Sequence, residues 1–476
     1  MPSAPAPLWS GPLDVDGLAQ GSVRAAADAV VRLAAARGAR IAVTTSPRAV
    51  GLAFAAVDHL RIDGEPTHPW APLSGFFAAA DGWVRLHGNY PHHAAAIRGV
   101  FDLPGAEGDA QQERQRIAER IGALPAHEVE DRVVTAGGIA AAVRTPQQWR
   151  AHPQARAMAG TPWVGVEPGG PARPLPSLPV PAGDRPLAGL RVLDLTRVIA
   201  GPTASQLLGC LGADVLRLDP PHRPELLDAH LSTGMGKRSG LLDLRRDAAV
   251  LHEELLPAAD VLLLGYRPGA LDRFGLEPAA LAAAHPGLVV GSLSAWGSVG
   301  PWGRRAGFDS IVQAATGIAV ASAADPARPG ALPVQALDHA TGFRLAAAVM
   351  DLLAQRRGGL VRASLLGAAH ELLGAPAADD RPGSPSGPAA DDRAGSPSGT
   401  AADGPLGTPA AAGSPSGSTA APVFAPGPEP VEDDLIEQDT PHGRVRAVPP
   451  PLRVDGARVH GPIGRSGGAD IRWSQG

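Results

Sequence analysis

The sequence predicts an α/β protein with a parallel sheet domain of the nucleotide-binding type, a smaller α/β unit ahead of it, and a low-complexity insert behind it. Three observations carry this. Between residues 188 and 370 short apolar runs alternate with helical runs, the rhythm of a parallel sheet covered on both faces. Residues 76–150 form a second compact run of hairpin, helices and a short strand. Residues 376–421 nearly repeat PAADDRPGSPSG as PAADDRAGSPSG and hold almost no large apolar side chains. Such a stretch cannot offset its ordering entropy, so disorder is expected there.

The elements follow in order. SVRAAADAVVRLAAARGA, within 20–56, reads as an Ala-rich helix. GFFAAADGWVRLHGNY alternates about a turn and reads as a hairpin. AAAIRGVFDL, QQERQRIAERIGAL and AHEVEDRVVTAGG read as helices, the last stopped by Gly137 and Gly138. IAAAVRT is a short buried strand, and PQQWRAHPQARAM opens a helix with proline at its start. In the second half RVLDLT, DVLRLD, DVLLLGY and GLVVGSLSAW are strands. TASQLLGCLGA, AAVLHEELLPAA and LEPAALAAAH are the helices between them, and DHATGFRLAAAVMDLLAQRR follows as a long helix over 338–357. The expected domains are a small unit over 20–167 with its core at 70–160, a Pro-rich connector at 168–187, the sheet domain at 188–375, the insert at 376–421, and a C-terminal segment at 422–476.

Composition narrows the function. At 476 residues the chain is too long for one ordinary domain. Net charge is −5 with no Lys/Arg cluster, which argues against a nucleic-acid partner. Cys210 is the single cysteine, so no internal disulfide forms, which fits a reducing compartment. MPSAPAPLWSGPLDVDG has no basic region followed by an apolar run, and no stretch of about 18 residues is apolar enough to span a membrane. A cytoplasmic protein without a membrane partner is expected.

Chemistry concentrates in the loops of the sheet domain. In an open parallel sheet, ligands bind beyond the carboxyl ends of the strands. RVIAGPT follows the first strand, and its tight turn leads into a helix whose free N–H groups suit a phosphate. GMGKRSG reads as a basic loop after the second strand, and its Lys237 is the only lysine in the chain. GYRPGALDRFG places Arg267 and Arg273 after the third strand. On these residues alone the ligand is nucleotide-like, and Asp338 is a carboxylate that opens a helix, either as its N-cap or as a nucleophile. His87, His92 and His93 cluster in HGNYPHH, but no carboxylate or cysteine completes a metal site there, and none is expected.

DLTRVIAGP, LGADVLRLDPP, GKRSGLLDL, ADVLLLGYRPGALDRFGL, GFDSIVQAATG and QALDHATG, in this order, resemble the family III CoA-transferases, a group that includes carnitine-, formyl- and bile-acid-CoA transferases and α-methylacyl-CoA racemases. The resemblance covers about 188–370. It implies that coenzyme A or an acyl-CoA binds as substrate, with no permanently held cofactor. The contacts it implies fall on Ile199, Ala200, Leu242, Asp243, Leu244, Arg245, Gly265, Tyr266, Arg267 and Arg273, and around Ala306 to Asp309, Phe308 included. Lys237 lies just before Leu242, in the loop leading to it, and is expected to meet a CoA phosphate. The nucleophile position falls on Asp338, which implies transfer of CoA from an acyl-CoA to a carboxylic acid through a covalent aspartyl intermediate. The racemase branch has a histidine where this chain has Phe308, and phenylalanine cannot carry a proton. His339 is not at that position and is expected to be structural.

Residues 70–160, with ADGWVRLHGNYPHHAAAIRGVF and AGGIAAAVRTPQQWRAHPQARA, resemble the family's small domain, which ordinarily follows the nucleotide domain. Its place ahead of that domain implies either circular permutation or a tandem pair that has lost two of its parts. The resemblance also implies a homodimer. The alternatives to transfer are a racemase- or lyase-type activity on an acyl-CoA, and a degenerate CoA-binding subunit without catalysis.

Overall fold

A computed structural model describes residues 8–68, 70–103, 109–175, 177–178, 185–374, 424 and 427–474. The insert expected at 376–421 lies outside the described residues. Helix α1 (Val15–Ala36) starts at Asp14, whose side chain accepts from the Gly17 N–H. Its apolar face of Val23, Ala26, Val30 and Leu33 is buried. Alanine at close-packed positions gives up no rotamer entropy, which suits a helix that packs along another helix.

The small unit is a three-stranded antiparallel sheet with three helices. The strands are β1 (Gly75–Ala79), β2 (Gly82–Leu86) and β3 (Ala140–Ala142), with β2 in the centre. The helices are α2 (Pro91–Val100), α3 (Ala110–Gly122) and α4 (Ala126–Thr135). Phe77, Val84, Leu86, Ile97, Ile117, Ile121 and Val133 form its own core. The hairpin, the helices and the buried strand stand where the sequence places them.

The large sheet has seven strands. In chain order these are β4 (Val164–Pro171), β5 (Arg191–Leu195), β6 (Asp214–Asp219), β7 (Lys237–Leu241), β8 (Val261–Leu264), β9 (Val289–Ser294) and β10 (Arg357–Ser364). Their spatial order is β7-β6-β5-β8-β9-β10-β4. All pairings are parallel except β10 with β4, so an antiparallel edge strand closes one side. Leucines 193, 216, 218, 262 and 264 pack on one face, and Val192, Val215, Val261, Leu263 and Val289 on the other. Such two-sided burial explains why these strands read as continuous apolar runs.

Three helices position the site: α5 (Ala200–Cys210), α6 (Asp309–Thr316) and α7 (Ala336–Ala354). Gly342 of α7 is required for a close approach, because a Cβ there would collide with the Ala200 carbonyl oxygen and Thr203 of α5. Helix α1 lies along α7, and Arg32 Nε meets Asp351 Oδ1 at 2.7 Å. Helix α8 (Leu365–Gly374) follows β10. Near the C-terminus, β11 (Ile436–Thr440) and β12 (Gly443–Ala447) form a hairpin, and β12 pairs with Arg61–Ile62 from the first part of the chain.

Two readings are corrected. GMGKRSG is not a loop throughout: Lys237–Leu241 is strand β7, in parallel register with Val215–Asp219. The long helix begins at Ala336, two residues before Asp338, so Gln335 is its N-cap and Asp338 sits in its first turn. Among the described residues, no helix is long and apolar enough to cross a membrane.

Candidate active site

A cleft of about 1070 Å³ opens at the carboxyl ends of the parallel strands. Arg197, Val198 and Ala200 after β5, Leu242 to Arg245 after β7, and Gly265 to Arg267 with Arg273 after β8 line one side. Trp302 and Arg304 to Phe308, after β9, line another. Asp338 reaches the cleft from α7, and Tyr90, His92 and His93 reach it from the small unit. One cavity thus brings together Asp338 and ten of the twelve individually named residues expected to hold CoA, with Ile199 and Lys237 as the exceptions, and of the stretch Ala306 to Asp309 only Asp309 stays out of it.

The rim is cationic. Arg223, Arg245, Arg267, Arg273 and Arg304 are exposed along it. Arg304 leans on Asp272 at 3.4 Å, and Arg245 Nη2 lies 2.9 Å from His222 Nε2. Exposed guanidinium groups converging on one opening suit a ligand with several phosphate oxygens.

The turn after β5 is held in an unusual conformation. Val198 has φ 70°, a left-handed backbone that a β-branched residue seldom adopts. Its N–H donates to Glu225 Oε2 at 3.0 Å, which holds it there. Ile199 follows as the N-cap of α5, with no side-chain cap, and does not line the cleft. Glu225 also accepts from Tyr90 Oη at 2.5 Å, Arg197 Nη2 at 3.2 Å and Arg217 Nη2 at 2.9 Å. Burial opposes its charge, but the two guanidinium groups prevail and pull its carboxyl down to about 2.

Lys237 does not reach the cleft. Its ammonium is buried and donates to Ser205 Oγ at 2.8 Å and the Pro202 carbonyl at 3.1 Å, with Asp194 Oδ2 at 3.4 Å. The expected phosphate contact is replaced by an internal one. Asp194 also accepts from the Ser205 and Thr196 hydroxyls at 2.5 Å. Burial pulls the lysine down to about 8 against the attraction of Asp194. This lysine therefore braces the first turn of α5 from behind.

Asp338 is 5% exposed, and its backbone N–H donates to Asp309 Oδ2 at 3.0 Å. Burial, and then the Asp309 charge, push the Asp338 carboxyl well above the usual carboxylate range. Burial pushes Asp309 up to about 6 against its hydrogen bonds. Phe308, next to Asp309, stacks face to face on His87 at 3.8 Å between centroids. Burial lowers His87 and His93 to about 3, so both rings are neutral. His339 is buried against Phe54 and meets Thr203 Oγ1 at 3.3 Å, outside the cleft, as befits a structural histidine. Among the described residues no cluster of His, Cys, Asp or Glu is arranged to hold a metal ion.

Sequence reasoning missed Glu225, the Asp194 network, and Asp309 as the partner of Asp338. The signal for Asp309 is its spacing from Gln313, one helical turn on, whose amide donates to it.

Comparison with known proteins gives the family. The model of CoA-transferase family III matches residues 17–180 and 187–404, and the chain belongs to that family. The chain is similar to a probable fatty acyl-CoA transferase, Rv3272, of Mycobacterium tuberculosis, 36% identical over 186 residues, 36% of this chain and 47% of the relative. An acyl-CoA transferase of Gibberella moniliformis is 34% identical over 287 residues, 56% of this chain and 50% of that one. The succinyl-CoA:glutarate CoA-transferase of Mus musculus is 34% identical over 188 residues, covering 36% and 42%. The chain thus spans about half the length of the curated relatives it matches. A crystal structure of Rv3272 aligns with a TM-score of 0.36 at 33% identity, covering 43% of this chain and 56% of that one.

Proposed function

We propose that this chain is an enzyme that transfers CoA from an acyl-CoA to a carboxylic acid, with Asp338 as the nucleophile. The observation that carries the reading is the single cleft that joins a buried carboxylate to an arginine rim. The rim arginines hold the phosphates of CoA, which leaves the thioester to extend toward Asp338. A carboxylate oxygen of Asp338 attacks the thioester carbonyl, the C–S bond breaks, and CoA leaves as its thiolate. The thiolate then attacks the Asp338 side-chain carbonyl of the mixed anhydride and releases the donor acid. The acceptor carboxylate attacks the resulting aspartyl thioester and again frees the thiolate. That thiolate attacks the acceptor's carbonyl, which yields the new acyl-CoA and restores Asp338. Each step balances without a metal or a redox partner.

The relatives named above are described as a probable fatty acyl-CoA transferase, an acyl-CoA transferase and a succinyl-CoA:glutarate CoA-transferase, and those names support an acyl-CoA donor here. The active form in this reading is a homodimer, and the order of small unit before sheet domain reflects a permuted or truncated arrangement of the family's parts. The test is a transfer assay across a panel of acyl-CoA donors and acids. The reading expects a new acyl-CoA with at least one pair, and none with Asp338→Asn. CoA binding without transfer in any pair would favour a non-catalytic CoA-binding subunit.

A further inference from the structure

Asp309 does two things to Asp338. Helix α7 has no side-chain cap of its own at Gln335. Instead the Asp309 carboxylate, 29 residues upstream, accepts the N–H of Asp338 at 3.0 Å, and the N–H of Leu337 as well. An acceptor at the first free N–H groups of a helix is what an N-cap provides, here supplied from another element. The amide of Gln313 donates to the other oxygen of Asp309, and its own carbonyl accepts the Leu332 N–H at 2.9 Å, which fixes which way the amide points.

The second effect is electrostatic. Asp309 and Asp338 are 1% and 5% exposed, and among the described residues neither forms an ion pair. Two carboxylates in one buried place cannot both ionise freely. The groups facing them do not cancel the charge. From β2 comes Arg85, whose attraction on Asp309 ranks below burial and its hydrogen bonds, and just past that strand stands His87; from α2 comes His93 and from α7 His339. The three histidines are neutral. Arg305, in the loop before α6, is paired with Glu130 of α4 at 2.6 Å.

We propose that Asp309 is a positioning residue for the reaction. Its carboxylate caps the helix that carries Asp338 and holds a second negative charge beside it. Acylation, which neutralises Asp338, then relieves a repulsion built into the fold. The proposal rests on the reading of Asp338 as nucleophile. Although the family resemblance extends the CoA contacts to Asp309, its side chain is buried and does not line the cleft. In the proposal it touches neither substrate nor CoA and acts through the ionisation and placement of Asp338.

The test follows the rate of hydroxylamine-trapped adduct at Asp338 against pH, in the full chain, with an acyl-CoA as donor. In the wild type the acid limb lies above the ordinary aspartate value of about 3.9. In Asp309→Asn, which keeps an acceptor for the helix and removes the charge, the limb moves down by about one unit or more. The maximal rate falls while KM for the acyl-CoA stays within about twofold, because no contact with CoA is lost. Asp309→Ser, which also caps without charge, serves if the Asn variant does not fold. An acid limb unmoved in a folded variant, or a wild-type limb at or below the ordinary aspartate range, overturns the proposal. No adduct at any pH in the wild type instead removes Asp338 as nucleophile, so the two failures are distinct.

Discussion

The hydroxyl of Tyr90 donates to Glu225 Oε1 at 2.5 Å, and this bond ties the small unit to the turn that precedes the cleft. Glu225 in turn holds Val198, Arg197 and Arg217, so one buried carboxylate fixes both walls of the ligand site.

Acid should therefore loosen the site. The Glu225 carboxyl sits at about 2 when folded and at 4.5 in its ordinary state. Its folded value is depressed, so its contribution is fully present above 4.5 and is lost as pH falls toward 2. The contribution is of order 3 kcal/mol. Thermal melts across that window should show the loss. Glu225→Gln should be destabilised at neutral pH and should have a flatter melt-against-pH curve, because Arg197 and Arg217 lose their shared counter-charge.

Cations in front of and behind the cleft should separate by assay. Arg273→Ala should lower CoA affinity roughly tenfold with Tm unchanged, and more steeply at low salt, since an exposed guanidinium on a phosphate is screened. Lys237→Met should do the reverse and lose roughly 3–5 kcal/mol of stability, because Asp194 is left buried without its cation. Calorimetric titration with CoA beside thermal melts distinguishes them. Equal effects on affinity at unchanged Tm would return Lys237 to the ligand.

Removing the Asp338 carboxylate should stabilise the fold. Asp338 has its folded value raised, so the native state binds more protons than the unfolded chain, and stability falls as pH rises through that interval. Asp338→Asn removes the buried charge and should raise Tm at neutral pH by a few degrees, an effect of order 1 kcal/mol. A lowered Tm with transfer retained would assign Asp338 to the helix alone.

Proton exchange at the α-carbon should be absent. The racemase branch needs a histidine where Phe308 stands, and His87 is stacked flat on that ring as a neutral, buried imidazole. Wild-type protein with an acyl-CoA in deuterated water should leave the α-position unlabelled by mass spectrometry. Incorporation at a rate comparable to transfer would revive the racemase reading.

Much of this was legible in the sequence, for identifiable reasons. Strands such as RVLDL and VLLL are buried on both faces, so their apolar runs announce them without context. Lys237 misled because a lone lysine between glycines looks exposed. Its burial depends on Asp194 and Ser205, 43 and 32 residues away, and no local pattern encodes such pairing. Asp338 read as a possible N-cap because the cap is actually supplied by Asp309 across the fold. Tyr90 and Glu225, 135 residues apart, carry no mark that they meet. Local periodicity gives elements, and it does not give the tertiary hydrogen bonds that set the ionisation of the site.

The central claim is the covalent role of Asp338. The direct measurement is peptide mass spectrometry of the protein mixed with an acyl-CoA and quenched with hydroxylamine. The account predicts a hydroxamate on the peptide containing Asp338, formed only with acyl-CoA present and absent from Asp338→Asn. A hydroxamate on another carboxylate, or active transfer with Asp338 unmodified, would contradict it.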